Sequence, residues 1–212
     1  MSRLTVEQTM AMLQAVAKRL TSERDHLCEL DGHIGDADHG IAMAQGFEAV
    51  STALADLDEP TVTLGDVFNT AAKSFLNAVG ASSGPLYATA FMRVGKQFKD
   101  VSDLALDQTP EIFTLMATGI EARGKAVPGE KTMVDAWAPA AVAAQEQTDG
   151  PTTLVAIRDA ARSGAEATVD MIASKGRAAR LGERSRGHMD PGAASAAIII
   201  EVMTEHLMGL GK

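Results

Sequence analysis

Apolar residues recur at helical spacing along almost the whole chain, and no stretch settles into the two-residue alternation of a half-buried strand. Val6, Met10, Leu13, Ala17, Leu20 and Leu27 mark a first helix over about residues 5–30, with Thr5 and Gln8 in the form of a capping box. Met43, Phe47 and Val50 predict a second over about 41–57. After a connection at 56–63 containing Pro60, Val67, Ala71, Phe75 and Val79 carry a third. The break at 80–85 ends in Pro85, which suits a first helical position, and Leu86, Ala90, Val94 and Phe98 continue from it. Further helices are expected near 110–123, 132–147 and 152–174. The last starts at Asp190-Pro191, an N-cap acid before a proline, and runs to about Leu210. Residues 193–200 taken alone read as a strand, but Glu201, Met203 and Leu207 extend the helical pattern. The expectation is about eight helices, no convincing strand, no internal repeat and no linker that would divide the chain.

Composition agrees. Of the 212 residues 46% are hydrophobic but only 4% aromatic, and alanine, leucine and methionine favour helix over sheet. A formal net charge of −9 disfavours nucleic acid as a partner. It leaves nucleotides open, because a divalent metal reverses the local sign of charge. The single cysteine, Cys28, excludes an internal disulfide framework and fits a reducing compartment. Residues 5–19 are amphipathic rather than signal-like, and no apolar run approaches membrane-spanning length, so a cytoplasmic protein with no membrane partner is expected.

Three features carry chemistry. The first is the stretch 31–40, where Asp31, Asp36 and Asp38 alternate with Gly32, Gly35 and Gly40. On a regular helix Asp36 would point away from the other two, whereas a glycine turn brings all three carboxylates together. Oxygen-only donors suit magnesium or calcium. An EF-hand is excluded because Ile41 and Phe47 stand where its glycine and final glutamate belong. A solvated acidic turn, or aspartates serving as caps, is the plain alternative. The second feature is a set of helix starts preceded by small residues, at 38–40, 82–84 and 190, which expose amides to anions or are simply capped. The third is a glycine-punctuated run with Arg177, Arg180, Arg184 and Arg186, suited to phosphate or equally to a solvated basic loop. Gly129-Glu130-Lys131-Thr132 looks like the end of a Walker A loop. Glu130 and Lys125 occupy its glycine positions, however, so it is not one. His26, His33 and His206 lie outside any clear site, and Met133 and Trp137 read as core.

Residues 34–40 (Ile-Gly-Asp-Ala-Asp-His-Gly), 82–86 (Ser-Ser-Gly-Pro-Leu) and Gly176-Arg177 resemble one family in order and spacing. So do 181–185 (Leu-Gly-Glu-Arg-Ser) and 187–193 (Gly-His-Met-Asp-Pro-Gly-Ala), with support from 124–126 and 128–133. The chain resembles the nucleotide-binding L subunit of dihydroxyacetone kinase (the DhaL family) and the matching C-terminal domain of single-chain, ATP-dependent members. The resemblance covers essentially all of residues 1–212. It implies an all-α, single-domain barrel of about eight antiparallel helices binding ADP or ATP at one end. Two Mg2+ ions would join Asp31, Asp36 and Asp38 to the phosphates. His39, Gly40, Ile41 and Ala42 would start the phosphate-side helix, and Ser82 and Ser83 would donate to phosphate. Gly124, Met133 and Arg177 would line the nucleoside pocket, closed by Asp190, Pro191 and Gly192. The family often has asparagine where this chain has Ala42, and alanine where it has Ser82.

The same resemblance implies a kinase subunit that passes a phosphoryl group to a small hydroxy-ketone held on a separate K subunit, and that is active only with it. Either ADP stays bound and is recharged by a phosphotransferase protein, or ATP exchanges as a substrate. The alternative is a regulatory module that senses its nucleotide state without turnover.

Overall fold

The computed structural model describes residues 3–57, 61–80, 82–146 and 150–211. Among them are nine α-helices: α1 (Val6–Ser22), α2 (Arg24–Ile34), α3 (His39–Ala55), α4 (Leu64–Ala78), α5 (Ser83–Gln97), α6 (Pro110–Gly124), α7 (Val134–Gln145), α8 (Gly150–Ala167) and α9 (Pro191–Leu210).

The expected first helix is two helices. Glu23, at φ −94 and ψ 2, bends the chain between α1 and α2. Its amide still donates to the Arg19 carbonyl, and its carbonyl still accepts from Leu27. The hydrogen bonds therefore run through the bend, and the apolar periodicity gives no sign of it. Counted as one bent element, α1 and α2 bring the barrel to the expected eight. At the other end α2 continues through Asp31, Gly32 and His33, beyond the predicted stop at Leu30. Gly35 ends it, and a Cβ at that position would collide with the Asp31 carboxylate.

The Thr5 capping box is present, and Thr63 with Asp66 forms a second at the start of α4, each worth about 1 kcal/mol. Helix α5 begins two residues before Pro85, whose missing amide hydrogen lies among those left unpaired in any first turn. Helix α7 starts at Val134, later than predicted, and its expected end at Gln147 lies outside the described residues, as does Pro60. Helix α8 stops at Ala167 instead of residue 174. Thr168 turns its hydroxyl back to the Ala165 carbonyl, and its own carbonyl accepts from the buried Lys131 ammonium, so a 3₁₀ turn replaces the helix.

Two short strands were not expected. β1 (Arg3–Thr5) pairs antiparallel with β2 (Asp103–Ala105), Leu4 facing Leu104. Each is three residues long, too short to show a period.

Each helix from α3 onward packs on its sequence neighbours, and α9 returns to α1, which closes a ring. Phe47, Phe75, Tyr87, Phe91 and Trp137 fill its middle, with edge-to-face pairs such as Phe47–Phe75 at 5.2 Å between centroids. Helix α9 is long and apolar enough, by length and composition, to cross a membrane, a length that no uninterrupted apolar run in it reaches. Its Ala193, Ala196, Ile199, Ile200, Met203 and Leu207 are buried in this core.

Candidate functional site

Antiparallel packing gathers alternate helix starts at one end of the barrel. The N-termini of α3, α5, α7 and α9 and the C-terminal turns of α2 and α6 all contribute to a cavity of about 430 Å³. Each N-terminus carries a partial positive charge, so that rim favours an anion, while Asp31, Thr132 and Asp190 each accept an amide at the starts of α3, α7 and α9.

The acidic turn lies at its edge. Ligand oxygens of Asp31, Asp36 and Asp38 come within 4.8 Å of one another. Asp31 is buried, and its Oδ2 accepts the amides of Asp38 (3.0 Å) and His39 (3.3 Å), capping α3 from the end of α2. Asp36 and Asp38 are exposed. Ala37, between them, adopts φ 61, an unusual conformation for a residue with a Cβ that aims its two neighbours the same way. The donor set, all oxygen with open flanks, fits a hard divalent cation such as Mg2+. The Arg177 guanidinium pairs with Asp36 and lies 3.3 Å from Asp38, offsetting part of the clustered charge.

Of the residues singled out from the sequence, Asp31, Asp38, His39, Ala42, Ser82, Ser83, Gly124, Met133, Arg177, Asp190, Pro191 and Gly192 line the cavity. Asp36 does not line it but belongs to the carboxylate cluster. Gly40 and Ile41 point elsewhere. A Cβ on Gly40 would strike the Arg24 carbonyl, so this glycine lets α3 approach α2 closely, and Ile41 is exposed on the outer face. Arg180, Arg184 and Arg186 do not line the cavity either.

Lys131 is the main residue the sequence did not flag. It is buried at φ 60, lines the cavity, and its Nζ donates to the carbonyls of Thr168 and His188. One ammonium thus joins the loop before α7 to the two segments leading into α9. Asp135, also buried, fixes the same loop by accepting the amides of Gly129 and Thr132. Burial lowers the Lys131 pKa from its ordinary value, against the raising effect of Asp190, Asp135 and Asp170. Burial raises the Asp190 carboxyl to about 7, opposed by the Ala193 amide it caps and by Lys131. Burial lowers His39, partly offset by Asp31. His33, taken as outside any site, stacks on His188 at 4.8 Å, beside the carbonyl that holds Lys131. Residues 128–133 carry part of the family resemblance, and Gly129-Glu130-Lys131-Thr132 departs from a Walker A loop, but neither pattern points to the partners of the lysine.

This end of the barrel defines a helical domain whose acidic turn faces a cleft rimmed by helix N-termini. Residues 33–205 match the DAK2 domain family, and the chain belongs to that family. It is 37% identical over 199 residues to the ADP-binding subunit DhaL of PEP-dependent dihydroxyacetone kinase 2 from Listeria innocua, covering 92% of each chain. It is 38% identical over 190 residues to the corresponding Escherichia coli subunit, covering 86% of this chain and 88% of that one. The crystal structure of the dihydroxyacetone kinase from C. freundii in complex with AMP-PNP and Mg2+ superimposes with a TM-score of 0.72 at 26% identity. That match covers 92% of this chain and 33% of the kinase.

Proposed function

We propose that the chain, as one domain over residues 1–212, is the ADP- or ATP-binding subunit of a cytoplasmic dihydroxyacetone-type kinase. Its reaction is phosphoryl transfer from metal-bound nucleotide to a small hydroxy-ketone held on a separate K subunit. The observation that carries this reading is a cluster of three carboxylates, two of them lining the cavity, beside the four helix N-termini that rim it. Carboxylates alone would repel a polyphosphate, and amides alone would bind any anion. Together they select a phosphate chain that arrives with divalent cation. The cavity volume suits a nucleotide-sized ligand. The names of the relatives, which are ADP-binding subunits, and the AMP-PNP and Mg2+ of the solved kinase support the same ligand pair.

In this reading Asp31, Asp36 and Asp38 hold Mg2+, two ions by family resemblance. The metal supplies charge neutralisation on the transferring group and the leaving diphosphate. Asp31 keeps the carboxylate turn and the start of α3 in register through its bonds to the Asp38 and His39 amides. Ser82 and Ser83 present donors at the start of α5. Met133 and Gly124 give an apolar wall for the nucleoside, and Arg177 covers the mouth. No side chain at the cavity is an evident holder of a ketone, so the acceptor comes on the partner subunit. The relatives named for dependence on PEP favour the version in which ADP stays bound and a phosphotransferase protein recharges it.

The test is reconstitution with a dihydroxyacetone kinase K subunit and the phosphotransferase proteins. The expected result is formation of dihydroxyacetone phosphate that needs both subunits. Nucleotide binding with no turnover under any donor would overturn the kinase reading, and saturable dependence on added ATP would overturn the permanent-cofactor version.

A further inference from the structure

His39 is the first residue of α3, and its ring makes one hydrogen bond among the described residues, from Nε2 to Ser195 Oγ at 2.8 Å. Ser195 is fully buried in the first turns of α9. Its hydroxyl donates to the Gly192 carbonyl at 3.0 Å. Tyr87, fully buried on α5, lies close to Ser195, and the Trp137 Nε1–H of α7 lies 3.4 Å from the Tyr87 oxygen.

The donors in this chain can be counted. An indole N–H only donates, so Trp137 gives its hydrogen to Tyr87. The Tyr87 hydroxyl, kept protonated by burial, can then give its hydrogen to the neighbouring Ser195 oxygen. The single Ser195 hydrogen goes to Gly192, which leaves the serine oxygen only lone pairs: one for Tyr87 and one for His39. With the serine hydrogen on the Gly192 carbonyl, His39 is the donor of the 2.8 Å bond, from Nε2.

We propose that Ser195, backed by Tyr87 and Trp137, is a positioning residue that holds His39 as the Nε2–H tautomer and turns its Nδ1 lone pair to the cavity. Four elements, α3, α5, α7 and α9, thereby fix one ring at the edge of the acidic turn. The consequence rests on the nucleotide reading: Nδ1 accepts from a donor, such as water in a cation's hydration shell, and does not itself donate to a phosphate oxygen. Helix starts and carboxylates specify where the ligand lies, and this buried chain specifies which atom of His39 meets it.

The experiment is 15N–1H multiple-bond correlation on the full chain labelled at histidine, without ligand and near neutral pH, with His39→Gln used to assign the ring. The wild type is expected to show an Nε2–H ring. Ser195→Ala should give mixed tautomers with the other four histidines unchanged, which controls for folding. Ser195→Thr, which keeps the hydroxyl, should restore the wild-type pattern. Mg-ADP affinity should fall roughly tenfold in Ser195→Ala and return in Ser195→Thr, as for other groups that orient a ligand-facing ring. A wild-type Nδ1–H ring, a Ser195→Ala spectrum identical to wild type, or no rescue by Ser195→Thr would overturn the proposal. Failure of the wild type to bind Mg-ADP would instead remove the nucleotide reading, while the ring assignment is read in the ligand-free protein and stands or falls by itself.

Discussion

The Oδ2 atom of Asp31 accepts the backbone amide of Asp38 at 3.0 Å. The first carboxylate of the acidic turn thus holds the backbone that carries the last. Asp31 is a structural cap and a candidate ligand at once, whereas Asp36 is exposed and accepts no backbone hydrogen bond among the described residues.

The two should separate on mutation. Asp36→Asn is expected to leave thermal stability within about 0.5 kcal/mol of wild type, as for exposed positions, and to weaken Mg-ADP binding on the order of a hundredfold, ~2.7 kcal/mol. Asp31→Asn should weaken binding and also destabilise the fold by about 1 kcal/mol, since a charge-assisted cap becomes a neutral one. Calorimetric titration beside thermal denaturation of both variants checks this. Equal stability loss in the two would contradict it.

Lys131→Met removes the ammonium shared by the Thr168 and His188 carbonyls. Two buried acceptors lose their donor, and a cost of about 2–4 kcal/mol is expected. Urea denaturation measures it. Hydrogen exchange should rise at 168–170 and 187–190 but not in α4, with which Lys131 makes no hydrogen bond among the described residues.

Asp190 gives a pH dependence with a defined sign. Its folded pKa, about 7, lies above its ordinary value of 3.8. The folded state therefore holds the proton more tightly. The associated stability is fully present below about pH 4 and is lost as pH rises through 7. Asp190→Asn keeps an acceptor for the Ala193 amide without the titration. Ligand-free wild type should lose stability relative to this variant between pH 4 and 8, by at most about 4 kcal/mol. Parallel curves would mean that the carboxyl is not held protonated.

The acidic turn was legible in the sequence because its signal is local: three aspartates and three glycines within 31–40. The helices were legible because apolar spacing reports which face is buried. The bend at Glu23 was not, since both helices keep their apolar stripe and their hydrogen bonds across it. Lys131 was not, since its partners Thr168 and His188 are remote in sequence and meet it only after α8 folds back. The strand pair joins segments near residues 4 and 104, and no pattern in three residues announces that. Gly40 stands in the first turn of α3, where its motif puts it, and its missing Cβ also lets α3 pack on α2, a use that no local pattern announces.

The central claim is a nucleotide site that depends on a divalent cation at Asp31, Asp36 and Asp38. Calorimetric titration of the purified chain with ADP, first in excess Mg2+ and then in excess chelator, tests it most directly. Saturable binding with Mg2+ that weakens at least about a hundredfold in chelator is the predicted result. Binding of equal strength in both, or none in either, would contradict it.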